Sequence, residues 1–359
     1  MNDIFNNIII CRDMENIFKR GIPIKELYNT LILVTGATGM LASDLIYYLI
    51  WLNEKHDAGI RIVAVARHKE KILSRFGNYA EKSYFNNIIA DVSETLTIDG
   101  DVDYIVHAAS FASPQYYTTM PVEVALPNAV GTYYLLQLAV KKHVKGFLYF
   151  SSGDVYGKMP DNAGMFREEQ MGTMDPMGIH SYYGESKRMG ETWCASFAQE
   201  YGLSACAVSI GHTYAPTMDL DNDPRVFASF MKCAVEKKDI VMLSDGSAKR
   251  PFCYIADAIA AFVILLIKGK PGEAYNMTNT DAFVSIGELA EIIASIEPEA
   301  NLEVIRKQRE KDDNYLENSL NHANCHGNSK LKKLGWECEY DIRKGFSQVL
   351  EYYSMPKSS

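Results

Sequence analysis

Leu31-Ile32-Leu33-Val34-Thr35-Gly36-Ala37-Thr38-Gly39-Met40-Leu41-Ala42 is the stretch whose reading decides the fold. Its first four residues are apolar and partly β-branched, the signature of a short buried strand. Gly36 permits a tight turn. Gly39 lets backbone approach a pyrophosphate seated at the positive end of the helix that follows. Met40, Leu41, Leu45, Ile46, Leu49 and Ile50 give that helix its apolar spacing. Ala42 stands where such loops usually carry a third glycine, and a methyl is small enough for helix to pack on strand. Strand, glycine turn and helix form the context of a dinucleotide loop, although the same pattern alone also closes ordinary strand–helix turns. Gly36, Thr38, Gly39, Met40 and Leu41 are the residues expected to hold the cofactor.

Working outward, Ile60 to Ala66 reads as a second strand. An acidic residue closing it would hold ribose hydroxyls and select NAD. Here Ala66 closes it and Arg67-His68-Lys69 follow. A small residue followed by Arg suits a 2′-phosphate, so NADP is slightly favoured over NAD. The alternative is a solvated start to the next helix. Asn87 to Ala90 is a third strand, with Asp91 and Val92 at its end, both expected at the cofactor. Asp91 either accepts from an adenine amino group or caps a turn. Tyr104 to Ala109 is a fourth strand, and Ala108, Ala109 and Ser110 leave room for the cofactor. Ser113, Pro114 and Gln115 follow on a loop expected beside the nicotinamide and substrate. Residues 121–142 read as one long helix, and Phe147 to Ser151 as a fifth strand. Ser204 to Ile210 and Glu273 to Met277 are later strands, the second rejoining the sheet.

This alternation predicts an α/β fold, a Rossmann-type doubly wound parallel sheet with a smaller C-terminal substrate-binding lobe. Residues 1–30 form an N-terminal extension too apolar for a disordered tail. Residues 31–210 form the NAD(P)-binding part, with the returning strand near 273–277, and residues 211–359 form mainly the substrate lobe.

Totals narrow the function classes. The 359 residues carry a formal net charge of −9, so nucleic-acid binding has no electrostatic footprint. Seven cysteines occur without any C-x-x-C pair, which predicts reduced thiols and a cytoplasmic location rather than a disulfide framework or zinc site. No metal is expected, because no His/Asp/Glu cluster has ligand spacing. No apolar run is long enough for a membrane span, and the N-terminus lacks the pattern of a secretory signal.

Two motifs fall at the carboxyl edge of the sheet, where ligands bind in open α/β folds. One is Ser151-Ser152-Gly153-Asp154-Val155-Tyr156-Gly157, directly after the fifth strand. The other is Tyr182-Tyr183-Gly184-Glu185-Ser186-Lys187-Arg188, opening a helix. Tyr183 and Lys187 share a helical face. A phenol ordinarily ionises near pH ~10 and is a poor base at neutral pH. A nearby ammonium favours the phenolate, which can take a proton from a sugar hydroxyl. Ser152 would hydrogen-bond the same oxygen. The alternative for Y-x-x-x-K alone is an amphipathic surface pair.

With these motifs in order, the chain resembles the extended short-chain dehydrogenase/reductases, specifically the nucleotide-sugar epimerase/dehydratase/decarboxylase kind. The resemblance spans roughly residues 31–290. It rests on Thr35-Gly36-x-x-Gly39-x-x-Ala42, Ser152-x-x-x-Tyr156-Gly157, Tyr183-x-x-x-Lys187, Tyr214-x-Pro216 and Arg250-x-Phe252-x-Tyr254-x-x-Asp257. UDP-glucuronate decarboxylases are the nearest subgroup. The resemblance implies a redox pair of Tyr183 and Lys187 assisted by Ser152, with Lys187 also holding cofactor. It implies that Arg250 and Arg225 bind the substrate pyrophosphate, that Val226 lies against the base, and that Asn128 is structural or near the cofactor. A surface salt bridge is the alternative for both arginines. It also implies a homodimer, joined through the 121–142 helix and the Tyr183 helix.

Departures from the family pattern bear on the reaction. Dehydratases carry Asp-Glu, and decarboxylases Ser-Glu, where this chain has Gly153-Asp154. Asp154 keeps a carboxylate, serving either as acid/base on the sugar or as a turn cap. His212 stands where relatives usually have Asn, contacting phosphate or sugar or else filling the core. His180 replaces a frequent Arg. Epimerisation at C4 of a nucleoside-diphosphate sugar fits this reduced acid/base set best. Decarboxylation or 4,6-dehydration through Asp154, NADP-dependent reduction, and a silent NADP-binding regulator are the alternatives.

Overall fold

The structure, a computed structural model, describes residues 4–111, 119–160, 164–178, 181–307 and 325–355. Ser113, Pro114, Gln115 and His180 lie outside the described residues. Seven parallel strands build the central sheet: β1 (Leu31–Thr35), β2 (Arg61–Ala66), β3 (Phe85–Ile89), β4 (Tyr104–His107), β5 (Gly146–Ser152), β6 (Ala205–Ile210) and β7 (Ala274–Met277). Their order is β7-β6-β5-β4-β1-β2-β3. The chain winds outward from β1 to β3, then crosses back to β4, so the crevice opens where β1 and β4 part. Helices cover both faces, which is why β1 is buried along its whole length and reads as a continuous apolar run. The doubly wound sheet read from the sequence is the one observed, including the return of β7 against β6.

Helix α1 (Ile8–Lys19) buries Ile9, Ile10, Met14 and Ile17. It packs on a long apolar helix, Ile255–Lys268, on one face of the sheet. Arg20 follows α1 and pairs with buried Asp257 of that helix at 2.7 Å. Asp257 also accepts from the amides of Glu339 (3.0 Å) and Tyr340 (3.2 Å), and Trp336 Nε1 donates to its carbonyl at 2.8 Å. One carboxylate thus ties the N-terminal extension to the C-terminal tail. Cys253 and Cys338 lie within 4.8 Å of this carboxylate, but its oxygens already serve Arg20 and the two amides.

Helices α2 (Met40–His56) and α3 (Lys69–Phe76) follow β1 and β2. The expected single helix over 121–142 is corrected by the structure. Helix α4 (Pro121–Leu126) and helix α5 (Thr132–Lys142) are separated by a π turn, Pro127–Gly131. Pro127 lacks the N–H that an α-helical ladder needs, so the turn widens. Side chains take up the freed groups. Asn128 Nδ2 donates to the Val124 carbonyl at 3.0 Å, and His107 Nε2 lies 3.0 Å from the Pro127 carbonyl. Helix α6 (Ser181–Tyr201) then packs along β5 and beside the π turn.

The smaller lobe sits at the carboxyl edge. A three-stranded sheet joins His212–Tyr214, Lys249–Tyr254 and Phe283–Ser285, with the helix Val226–Val235 nearby. The stretch Cys325–His326 pairs in parallel with Met165–Phe166. Among the described residues no helix is long and apolar enough to cross a membrane.

Candidate active site

The glycine loop forms first. Gly36 adopts φ +64°, and a Cβ there would fall 2.7 Å from Ala109 Cα. Only glycine permits both that conformation and that approach to the end of β4. Thr35 and His107, neighbours across β1 and β4, lock the junction. The Thr35 hydroxyl lies 2.8 Å from His107 Nδ1 and accepts from the Ala109 amide at 3.3 Å. Burial lowers the His107 pKa to about 3, so the ring is neutral, with its proton on the Nε2 that faces the Pro127 carbonyl. This pull on Ala109 also ends β4 at His107, two residues earlier than its sequence suggests.

Gly39 caps α2 without any side-chain bond, and the first helical bond runs from the Ser43 amide to its carbonyl at 2.8 Å. The amides of Met40 and Leu41 ahead of that bond are therefore open to an anion. The buried Ser110 hydroxyl and Asn128 Oδ1 also lack hydrogen-bond partners among the described residues. Such a cradle fits a dinucleotide. At its far edge Arg67 is exposed, its guanidinium 4.2 Å over the Phe111 ring. Asp91 is exposed and already accepts from the Ser93 amide at 2.8 Å, so the turn-cap reading holds for one oxygen. Val92 is buried, with its side chain against Gly131.

The second half of the site lies at the end of β5. Lys187 is 3% exposed and donates to the Phe150 carbonyl at 2.7 Å. Its ammonium nitrogen is 5.0 Å from the Tyr149 ring centroid and 5.8 Å from that of Tyr183. Desolvation lowers its pKa to about 7, partly offset by Glu191 and Asp154. Tyr183 is 5% exposed, so the pair is no surface feature. Gly184 between them is required by contact: a Cβ there would come within 2.9 Å of the Asp154 carbonyl and 2.8 Å of Met174 Cε. That contact lets α6 press on the Ser152 turn. Asn128 reaches from the π turn to Ser186 Oγ at 3.1 Å, and Ser186 donates to the Tyr183 carbonyl at 2.8 Å. The Ser152 hydroxyl accepts from the Asp154 amide at 3.2 Å and holds the turn.

Asp154 is half-buried, and its pKa is raised by desolvation against the opposing pull of Arg250 and Lys187. Arg250 lies on the strand paired with His212–Tyr214, and its charge also bears on His212. The His212 pKa sits well below its ordinary value, through desolvation in the cleft and the guanidinium groups of Arg250 and Arg225. His212 is exposed and meets the Phe252 ring edge-on at 5.8 Å between centroids. Arg225 is paired with Asp223 at 2.5 Å, donates to the Thr213 carbonyl at 3.0 Å, and stands 3.8 Å from Met40 Sδ. It therefore has the salt-bridge character of its alternative while lying beside the start of α2. Val226 follows it as the first residue of its helix.

Two groups were not singled out from the sequence. Glu191 lies one turn beyond Lys187, accepts from the Ser209 hydroxyl at 3.2 Å, and has its pKa raised by burial. Its i, i+4 spacing from Lys187 was an available signal. His326, far along the chain, stacks on Tyr156 and abuts Gly153, and no local pattern marked it.

Comparison with known proteins agrees with this geometry. Residues 32–278 match the family described as the NAD dependent epimerase/dehydratase family. The chain is 29% identical over 335 residues to UDP-glucuronic acid decarboxylase 6 of Arabidopsis thaliana, covering 91% of this chain and 90% of that protein. It is 30% identical to UDP-glucuronic acid decarboxylase 1 of the same plant, covering 89% of this chain and 68% of the relative. Among solved structures, UDP-glucose 4-epimerase of Thermotoga maritima with UDP-glucose aligns with TM-score 0.74 at 22% identity, covering 90% of this chain and 98% of that one. UDP-glucuronic acid 4-epimerase of Bacillus cereus with UDP-glucuronic acid and NAD aligns with TM-score 0.73 at 21% identity, covering 90% and 99%.

Proposed function

The chain belongs to the NAD dependent epimerase/dehydratase family, and from that premise we propose that it oxidises C4 of a nucleoside-diphosphate sugar and returns the hydride, with epimerisation as the net result. The carrying observation is the convergence of Tyr183, buried Lys187 and Ser152 at the carboxyl end of β5. Bound nicotinamide supplies the hydride acceptor and donor. Tyr183, as phenolate, takes the C4 hydroxyl proton and later gives it back. The Lys187 ammonium, 5.8 Å from the centroid of that ring, stabilises the phenolate. Ser152 holds the same sugar oxygen, which keeps it in line with the phenol. Arg250, with Arg225 and His212 beside it, surrounds the diphosphate with positive charge and hydrogen-bond donors. Val226 flanks the base. Gly36, Thr38, Gly39, Met40, Leu41, Ala108, Ala109 and Ser110 hold the cofactor, and Ser113 belongs to the substrate side.

Decarboxylation is the second reading, favoured by one observation: the raised pKa of Asp154 keeps a carboxyl able to give or take a proton beside Lys187 and Arg250. The curated relatives carry the name UDP-glucuronic acid decarboxylase. The test is product analysis by mass and NMR after incubation with UDP-, dTDP-, GDP- and CDP-sugars without added cofactor. Isomerised product of unchanged mass supports epimerisation, and loss of carbon dioxide supports decarboxylation. Conversion only with added NADPH or NADP would overturn both in favour of a reductase or dehydrogenase.

Three further readings accompany this one. Arg67, with no acid at the end of β2, favours NADP over NAD. Exposed Val122 (62%) and Leu126 (37%) on α4 form an open apolar depression with Tyr182, on the elements where a second copy would complete a homodimer. The six cysteines whose side chains are described are free thiols, which suits a reducing, cytoplasmic setting.

A further inference from the structure

Gly153 is the position where this chain departs most from the pattern around Ser152, and the structure gives a steric reason for it. A Cβ on Gly153 would lie 2.2 Å from His326 Cε1, 2.9 Å from Nε2 and 3.2 Å from Nδ1. The imidazole occupies the volume that a side chain at 153 would fill. Its placement is built. The ring stacks on Tyr156 at 4.7 Å between centroids and meets the Phe166 ring edge-on at 5.1 Å. Its backbone pairs with Phe166. Buried Thr278 donates to the His326 carbonyl at 2.6 Å, and buried Asn276 donates to that of Gly327 at 3.1 Å. Nδ1 is buried without a hydrogen-bond partner among the described residues. An orphaned polar atom on a fixed ring costs stability unless something else satisfies it.

We propose that His326 is a substrate-contacting residue: it replaces a side chain at position 153 and presents a ring nitrogen to the sugar substituent next to the carbon held by Ser152 and Tyr183. This rests on the nucleotide-sugar reading above. Gly153 is flanked in the chain by Ser152 and Asp154, so a group occupying its side-chain volume borders the same turn as both. Burial lowers the imidazole pKa to about 4, so the ring is neutral at ordinary pH and can donate through one nitrogen and accept through the other. Its role is to hold a hydroxyl or carboxylate of the sugar, and not to protonate it.

The test compares H326F, which keeps an aromatic ring and loses both nitrogens, with H326N, whose amide reaches about as far as Nδ1. Turnover of UDP-glucuronic acid and UDP-glucose is measured on the holoenzyme, together with UDP affinity, cofactor content and melting temperature. Expected is a loss of kcat/KM of roughly 5- to 150-fold in H326F. UDP affinity and cofactor content stay within about twofold, and H326N recovers part of the loss. A structural role alone would move UDP affinity and melting temperature together with activity. H326F with unchanged kcat and KM on an active wild type overturns this inference and leaves the functional reading standing. A wild type inert toward both UDP-sugars and the wider panel removes the functional reading, and the inference with it. Failure of both variants to fold makes His326 a packing residue and also overturns it. As a steric control, G153A should lower the melting temperature, and G153A/H326A should regain it. Tolerance of G153A in the wild-type background would contradict the exchange of volumes.

Discussion

Replacing Lys187 by Met removes an ammonium 5.8 Å from the Tyr183 ring centroid while keeping the length of the side chain. At an effective dielectric of about 20, a charge pair at that separation is worth about 3 kcal/mol. At 1.36 kcal/mol per tenfold change, that corresponds to about a hundredfold less phenolate at a given pH. The Lys187 pKa is lowered to about 7, first by desolvation, so its proton is lost as pH rises through neutrality unless the phenolate forms and retains it. Tyr183 and Lys187 therefore titrate as a pair, and the rate of the wild type should climb through neutral pH and level off. K187M should be about a hundredfold slower at neutral pH and should recover as pH rises, because hydroxide then removes the phenol proton unaided. The assay is initial rate against pH for wild type, K187M and Y183F, with cofactor content measured on each preparation. Y183F should lack the pH-dependent rise altogether. The reasoning is refuted if K187M, with cofactor bound, works within about threefold of wild type at neutral pH, or if its loss does not recover with pH.

Four further outcomes are expected. Arg67→Ala should weaken NADP binding by about tenfold or more and leave NAD nearly unchanged, measured by titration calorimetry; equal losses for both would remove the 2′-phosphate assignment. Gly184→Ala should cost about 1–3 kcal/mol by overpacking against Asp154 and Met174, and should reduce kcat more than its melting shift explains, because it lifts α6 from the Ser152 turn. Asp13 accepts from Tyr254 (2.5 Å) and Tyr340 (2.9 Å), and burial raises its pKa to about 7 from the ordinary 3.8. Its contribution to stability is full below about pH 4 and is lost as pH rises through about 7, so Asp13→Asn should flatten the fall in melting temperature across that window. Light scattering should give a dimer for the unsubstituted protein and a monomer for Val122→Asp; a monomeric unsubstituted protein would remove the proposed homodimer, and a dimeric Val122→Asp would place its interface elsewhere.

Strong local patterns were legible and tertiary exchanges were not. The run Leu31 to Ala42 announced strand, loop and helix because its period changes at Gly36. The alternation of strands and helices announced a doubly wound parallel sheet, while the order of its strands is set by the tertiary pairing. The π turn did not, because Pro127 alone permits either a break or a kink. Val124, Asn128 and His107 decide between them, and His107 approaches from another strand. For Arg225 the sequence leaves phosphate ligand and salt bridge both open, and Asp223, two residues earlier, supplies the salt-bridge partner. Tyr183, Lys187 and Ser152 were legible as candidates because the chemistry constrains their types and spacing. His326 was not, since it reaches Gly153 only through the pairing of Cys325–His326 with Met165–Phe166. The missing side chain at 153 looked like a lost function from the sequence alone, whereas the fold fills that volume from elsewhere.

The central claim is that hydride leaves C4 of a nucleoside-diphosphate sugar and returns within one site. The most direct test follows the product of a sugar deuterated at C4, converted by the holoenzyme in unlabelled water without added cofactor. The label should stay in the sugar product, carried by the bound nicotinamide, and Y183F should abolish the conversion. Loss of the label to soluble cofactor or to water would contradict it.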